Sequence, residues 1–375
     1  MSLLNTIKSP LFLVVLVIIF FQYRKIGKLE KEVLGVNTSS ILFNTLISTF
    51  FGLLGGLIGS IIFIHFKITI NPEDFYFILP LALGLSLIHP RFICFSYAGG
   101  IITLISLIFN YPNINIPGIL MIIGVLHLVE SFLILIDGNR MSIPIFMERK
   151  GQIVGGFMLN RFWPVPFTVF INGNNIYLAT IIAVLGYGDY ALTNYPEKKS
   201  KETAAILSIF SITLIVFAKL SVYHTIFKYI GAIFSPLGHE IVIKIGRKKE
   251  ESGEYIFKSV SHGVKVLDTL PDSIGKAMNL KPGDIILSLN GNRVYSNWDI
   301  ADILEYRPNY IGMEIIQREE GIITKEFEDY KNGISNLGII TVSDMCQYGF
   351  VVEEAKSPIS RFLKKIKKRK AKFRN

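Results

Sequence analysis

Long apolar stretches constrain this 375-residue chain more than any other feature. The stretch 41–66 contains no Asp, Glu, Lys or Arg. It is long enough to cross the hydrocarbon core of a bilayer as a helix, which takes about 20 residues. Half of all residues are apolar and only 18% are charged, whereas soluble domains average about 25% charged residues. We therefore expect most of the chain to fold as helices in a membrane.

The apolar stretches predict a multi-span α-helical membrane domain over residues 1–242, with about seven spans in a range of six to eight. The first span, 9–23, is followed by basic residues and by no small-residue cleavage site, so an uncleaved span is expected rather than a signal peptide. The other predicted spans are 41–66, 75–88, 92–109, 116–136, 176–192 and 203–220. The weaker stretch 222–237 is expected to lie in the membrane interface, because it contains Lys228 and Pro236.

The distribution of Lys and Arg predicts the orientation of the spans. Loops 23–36 and 137–175 together hold eight of the 16 Lys and Arg residues of positions 1–242, and basic loops tend to remain in the cytoplasm. The chain after residue 246 is expected on the same side. Within the second loop, two apolar runs flank a charged turn, which predicts a hairpin near 140–172 that lies at the interface, with Trp163 seated at the membrane surface.

A small α/β domain is predicted over residues 254–330. Strands are expected at 264–266 and 285–289, a helix at 298–305 and a closing hairpin at 311–327. The run 282–291, Pro-Gly-Asp-Ile-Ile-Leu-Ser-Leu-Asn-Gly, resembles PDZ domains, which add an extended peptide to a sheet edge beside a helix. The resemblance implies a PDZ-like peptide groove walled by Ile300, Ile303 and Leu304. A stretch resembling the carboxylate-binding loop of that family follows the predicted domain, so further peptide-binding candidates are Leu337, Gly338 and Ile339.

Ionisable residues occur within the predicted spans. His127 and Glu130 are three residues apart and share a helix face, and His239-Glu240 follows later. Such groups usually face the interior of a bundle, so these four predict a structural polar cluster. His239-Glu240 also begins the zinc motif His-Glu-x-x-His, but position 243 is Ile. We therefore expect no metal site, no cofactor and no enzymatic activity; the alternative is a site-2-protease-like intramembrane metalloprotease.

The segment 356–375 contains ten basic residues and no acidic ones. Its apolar residues fall on one helical face, which predicts a basic amphipathic tail on anionic lipids. No aromatic platform accompanies it, so no nucleic-acid partner is expected. The predicted lipid-contacting residues are Lys364, Lys365, Lys367, Lys368, Arg369 and Lys370.

Several short motifs together resemble the MinJ-type proteins of Gram-positive bacteria. They are the segments 22–25, 126–130, 163–166, 186–189 and 235–240, ahead of the PDZ-like domain. The resemblance implies a non-enzymatic membrane scaffold that positions cell division. It also implies that the PDZ-like domain, at the cytoplasmic face, recruits DivIVA-like, MinD-like or divisome proteins. A transporter-like core with an accessory PDZ domain is a further alternative, disfavoured by the small number of intramembrane charges.

Overall fold

The computed structural model describes residues 6–36, 39–172, 175–318 and 320–342. The predicted tail at 356–375 lies outside the described residues, together with all six of its lipid-contacting candidates: Lys364, Lys365, Lys367, Lys368, Arg369 and Lys370.

Helices make up most of the first 250 residues. They are Pro10–Leu34 (α1), Ile41–His65 (α2), Phe75–Ile88 (α3), Phe95–Phe109 (α4), Ile116–Asp137 (α5), Pro196–Leu220 (α6) and Ile226–Ser252 (α7), followed later by Ile274–Ala277 (α8) and Asn297–Glu305 (α9). Five of them, α1, α2, α5, α6 and α7, are long and apolar enough to cross a membrane, judged by length and composition. The helices α3 and α4 have 14 and 15 residues, which at about 1.5 Å per residue is shorter than a bilayer core of about 30 Å.

The strands form two sheets. They are Thr69–Ile70 (β1), Ile143–Arg149 (β2), Gln152–Asn172 (β3), Ile176–Ala191 (β4), Val264–Thr269 (β5), Ile285–Leu289 (β6), Asn292–Arg293 (β7), Tyr310–Gln317 (β8), Gly321–Glu328 (β9) and Ile339–Val342 (β10). The first sheet has the order β1-β3-β2, and β4 pairs with β3; the second has the order β10-β5-β6-β8-β9, and β7 pairs with β6.

The prediction of a membrane helix at 176–192 is wrong, because this segment is the strand β4. It pairs antiparallel with β3 along its whole length, from Ile176 opposite Asn172 to Ala191 opposite Phe157. Periodicity cannot separate a buried strand from a buried helix in an uninterrupted apolar run. The segment 222–237 also differs from its prediction as an interfacial stretch, since most of it lies in the 27-residue helix α7, one of the candidate spans. The predicted count of six to eight spans is not confirmed.

The long strand β3 lies along the helix α2, where one face of the helix is a stripe of glycines. Gly52 and Gly56 approach the carbonyl groups of Pro164 and Pro166 so closely that a Cβ atom at either glycine would overlap them. The other two glycines of the stripe, at 55 and 59, face α5. The absence of side chains therefore allows α2 to pack between β3 and α5.

Side chains of the helices satisfy the backbone of β3 where no strand pairs with that edge. The N–H of Phe162 donates to the Tyr23 hydroxyl at 3.2 Å, and the Phe162 carbonyl accepts a hydrogen bond from Ser48 Oγ. The N–H of Thr168 donates to Ser60 Oγ at 2.8 Å. The two prolines between these positions have no N–H to satisfy.

A buried ion pair closes the end of the bundle near residue 137, and it includes Trp163. The Asp137 carboxylate accepts hydrogen bonds from Arg161 Nε at 2.7 Å, Trp163 Nε1 at 2.8 Å and Arg140 Nε at 2.9 Å. Asp137, Arg161 and Trp163 are each 0% exposed. Trp163 is therefore buried inside the protein rather than exposed to lipid or water, and the carboxylate of Asp137 supplies the partner that its indole N–H requires.

The PDZ-like domain packs against the turn end of the β2–β3 hairpin. The N–H of Gly155 donates to the carbonyl of Phe257 at 2.8 Å, and the rings of Phe157 and Phe257 are 5.3 Å apart. Leu267 of β5 and Ile340 and Val342 of β10 complete this buried cluster. The sheet continues past the predicted boundary at residue 330 to include β10, and α7 continues past residue 242 to Ser252.

Candidate functional site

The candidate peptide site lies between β10 and α9. Within the described ranges, β10 pairs with β5 alone, so its second edge remains available to an added strand. An edge strand of this kind presents unpaired N–H and C=O groups, and an extended peptide that binds a PDZ domain uses such groups.

The start of α9 is fixed by a capping box. The N–H groups of Tyr295 and Ser296 donate to Asp299 Oδ2 at 2.7 and 2.9 Å, and Ser296 Oγ accepts from the N–H of Asp299. This arrangement satisfies N–H groups that a helix start otherwise leaves without partners. The hydrogen bonds from Tyr295 and Ser296 lower the pKa of Asp299, because they favour its charged form.

One hydrogen bond identifies the side of α9 that faces β10. Thr341 Oγ1 donates to Asn297 Oδ1 at 2.5 Å. Residues four and seven positions further along a helix share its face, so Ala301 and Leu304 lie on the side of Asn297. Ala301 is exposed, and Leu304 is buried.

The three residues predicted to wall the groove from α9 all pack on the core of the domain. Ile300 and Leu304 are 6% and 4% exposed and belong to the core of the domain. Ile303 is partly buried against the same core, on the flank of α9 away from Asn297. Sequence reasoning missed Asn297 and Ala301, because only the tertiary contact of Asn297 with Thr341 shows that their side of α9 faces β10.

The loop before β10 belongs to the domain, although its position in the sequence predicts that it follows the domain. Gly338 has φ 62°, and a Cβ atom there would overlap Ser273, so only glycine fits without strain. Its N–H donates to Asn336 Oδ1 at 2.7 Å, and its carbonyl accepts from the N–H of Leu270 at 2.8 Å. Leu337 is buried and Ile339 is half-buried, which leaves Ile339 as the predicted residue of this loop that a bound peptide can contact.

The four predicted polar residues of the membrane helices lie in one region but make different contacts. The rings of His127 and His239 are 5.0 Å apart. Glu240 accepts a hydrogen bond from the Tyr97 hydroxyl at 2.8 Å and forms an ion pair with Arg91 at 3.3 Å. Glu130 lies one helical turn from His127 on α5.

Cys94 also joins the two histidines, and sequence reasoning did not connect it with them. Its Sγ atom lies 3.1 Å from His127 Nε2 and 3.8 Å from His239 Nε2. The expectation of no metal site rested on the missing second histidine of His-Glu-x-x-His. The structure instead brings together three residues of metal-binding type from separate elements, which no local motif could indicate.

Comparison with known proteins finds similarity over about three-fifths of the chain. No family model matches the sequence. Over 246 residues the chain is 22% identical to the cell division topological determinant MinJ of Bacillus subtilis (strain 168); the match covers 61% of this chain and 62% of that protein. Among solved structures, the PDZ domain of an SdrC-like protein from Listeria monocytogenes matches 23% of this chain and 93% of that chain, with 20% identity and a TM-score of 0.19.

The observations agree on the broad nature of the protein. Among the residues that the structure describes, five apolar helices of spanning length precede a small sheet domain that carries an edge strand beside a capped helix. The chain is a membrane protein with a PDZ-like domain, and it is similar over about three-fifths of its length to a determinant of cell-division topology.

Proposed function

We propose that this protein is a multi-pass, non-enzymatic membrane scaffold whose cytoplasmic PDZ-like domain recruits proteins that position cell division. The observation that carries the proposal is the available edge of β10 beside α9, in a domain packed directly on the membrane region. The similarity to MinJ supports the cellular role. DivIVA-like, MinD-like or divisome proteins are the partners proposed for the groove.

The orientation is proposed from charge and from the placement of helix ends. The end of α1 at Leu34 packs near Phe257, and Tyr195 at the start of α6 contacts Phe257 as well. The PDZ-like domain therefore lies at this end of the bundle. At the other end, the loops 66–74, 110–115 and 221–225 contain one basic residue, Lys67, and the helix turns beside them add Lys219 and Lys228, fewer than at the PDZ-like end. By the positive-inside rule, the PDZ-like end is the cytoplasmic one.

Binding would occur by addition of one strand to the sheet. A partner segment in extended conformation would pair with β10, and its alternate side chains would point toward α9. The backbone hydrogen bonds would supply affinity, and the small Ala301 side chain leaves room for one partner side chain. The proposed lipid contacts of residues 364–370 would hold the chain beyond the domain at the inner leaflet.

A substitution in the groove tests the proposal. Ala301→Arg fills the groove from an exposed position, so we expect loss of co-purification with DivIVA-like and MinD-like proteins from the same organism while the protein remains in the membrane fraction. Asp302→Arg is the control, because residue 302 is exposed and points away from β10. Equal co-purification by both variants, or none by the unmodified protein, would contradict the groove assignment.

A further inference from the structure

The cluster of Cys94, His127 and His239 has the composition and spacing of a metal site. Cys94 follows the 3-10 turn Pro90–Ile93 between α3 and α4, His127 lies in the middle of α5, and His239 lies in α7. One ligand atom from each residue lies within 4.8 Å of the others. Three elements far apart in the sequence therefore converge on one point.

The distances between these atoms fit a tetrahedral zinc ion. Zinc binds thiolate at about 2.3 Å and imidazole at about 2.0 Å, so the sulfur and nitrogen ligands of one ion are about 3.6 Å apart. The two Sγ–Nε2 distances, 3.1 and 3.8 Å, lie on either side of that value. Small shifts of the side chains would place all three at bonding distance from one ion.

The hydrogen bonds around the two histidines place a lone pair of each ring toward Cys94. His127 Nδ1 lies 2.7 Å from the carbonyl of Ile123, which can only accept, so Nδ1 carries the proton. His239 Nδ1 lies 3.3 Å from the Tyr97 hydroxyl, and that hydroxyl donates its own proton to Glu240. His239 Nδ1 must therefore donate as well, and both Nε2 atoms are acceptors.

Two acceptor nitrogens, Nε2 of His127 and Nε2 of His239, face the one sulfur of Cys94. Both nitrogens cannot find a partner there without a cation. A thiol has one proton and can donate to only one of the two Nε2 atoms. The sulfur already accepts from the N–H of Ser96 at 3.5 Å. A metal ion satisfies all three ligands at once. In metal-binding histidines, the second ring nitrogen typically donates to a carbonyl or a carboxylate network, as the Nδ1 atoms do here.

The charges nearby favour a divalent ion. A zinc ion bound by one thiolate and two neutral imidazoles keeps a charge of plus one. Glu130 lies one helical turn from His127, on the same face of α5. Its carboxylate would bring the total charge of the site to zero, which matters because unpaired charge is costly in a membrane interior.

We propose that Cys94, His127 and His239 bind one Zn²⁺ ion, with Glu130 balancing its charge. The ion would tie the short helices α3 and α4, at their connecting turn, to α5 and α7. These two helices are too short to be held firmly by lipid contact along a full span, so a metal bond at their tip would fix their position in the bundle.

Metal analysis of the full-length protein tests this proposal. The protein would be purified in detergent with a histidine-free tag and without chelator, incubated with zinc chloride, dialysed and analysed by mass spectrometry for metals. We expect one zinc ion per chain in the unmodified protein, and loss of zinc in Cys94→Ser and His239→Gln. The matched controls are Cys346→Ser and His224→Gln, which change the same residue types elsewhere in the chain and should keep the zinc.

Cobalt substitution of the unmodified protein provides a test that does not depend on the folding of any variant. Co²⁺ bound by a thiolate gives a sulfur-to-metal charge-transfer band in the near ultraviolet, which we expect here and which excess zinc should abolish. Absence of zinc and of this band in the unmodified protein would overturn the proposal. Zinc retained by Cys94→Ser, or copper or iron in place of zinc, would overturn it as well.

Discussion

At the scale of single residues, Asp137 is the strongest example of a side chain whose role depends on the whole fold. Its carboxylate satisfies Arg161, Arg140 and Trp163 together. Removal of one member of a buried ion pair leaves an unpaired charge, which costs about 3–5 kcal/mol. The sequence places Arg140 three residues after Asp137, but nothing local indicates that Arg161 and Trp163 of β3 meet the same carboxylate.

Asp299 makes the stability of the groove helix depend on pH. Its folded-state pKa is lowered by the N–H groups of Tyr295 and Ser296. Because the pKa of Asp299 is lower in the folded state, its ionised carboxylate stabilises the fold at pH values above the unfolded-state pKa of about 3.9. This stabilisation is lost as the pH falls through the folded-state pKa. We expect Asp299→Ala to lower the melting temperature at pH 7 and pH 5, and the difference from the unmodified protein to shrink below about pH 4.

The control for this prediction is Asp302→Ala on the exposed face of the same helix, which should change the melting temperature little at any pH. Thermal unfolding of the full-length protein in detergent, measured for the three proteins over this pH range, gives the comparison. A difference between Asp299→Ala and the unmodified protein that stayed constant down to pH 3 would refute the role of the charged cap.

At the scale of elements, the hairpin of β3 and β4 is the part of the fold that sequence patterns describe least well. With α2 crossing the bilayer as proposed, β3 lies at the same depth, where every backbone polar group needs a partner. Tyr23, Ser48 and Ser60 supply such partners from α1 and α2. These contacts join segments far apart in the sequence. The apolar run 176–192 is a strand because it pairs with β3, and its own sequence gives no local sign of that pairing.

The packing of α2 on β3 predicts the effect of filling one glycine. Gly56→Val places a side chain against the carbonyl of Pro166, and overpacking of this kind costs about 1–3 kcal/mol. We expect a lower melting temperature and reduced accumulation in the membrane. Gly84→Val on α3 is the control, because a Cβ atom at Gly84 meets nothing within 4 Å; an equal loss in both variants would contradict the packing described.

Other elements could be predicted well because their signals are local. The strands β5 and β6 and the helix α9 follow the alternation, turn and capping residues of the PDZ-like segment. The helix α2 follows from its length and apolar composition alone. The side of α9 that faces β10 and the inclusion of β10 in the sheet depend on tertiary contacts, Thr341 with Asn297 and Ile339 with Thr269, so local sequence signals could not indicate either.

At the scale of the whole molecule, the strand β4 changes the proposed topology. The strand β3 leads away from the PDZ-like end, and β4 pairs antiparallel with it and returns to that end. The helix α6 therefore begins at the PDZ-like end, with Lys198, Lys199 and Lys201. Lys199 is buried and forms ion pairs with Asp189 and Glu250 at 3.3 Å. All of these lysines then lie on the proposed cytoplasmic side, in agreement with the positive-inside rule.

The same arrangement connects the membrane region to the groove. The outer face of β10, with Ile340 and Val342, is packed against Phe257 and the β2–β3 hairpin. The strand that would receive a peptide is therefore supported directly by the membrane region. In the proposed orientation, a partner bound there would be held close to the inner surface of the membrane, which agrees with the proposed scaffold function.

Site-specific photo-crosslinking in cells tests the central claim, binding at the β10 edge, most directly. A photo-reactive amino acid would be placed at position 339 beside the groove, or at position 322, where the exposed Ile322 lies on β9 at the opposite edge of the same sheet. We predict a crosslinked adduct with a division protein from position 339 and none from position 322. Adducts from position 322 alone, or none from either position, would contradict binding at the β10 edge.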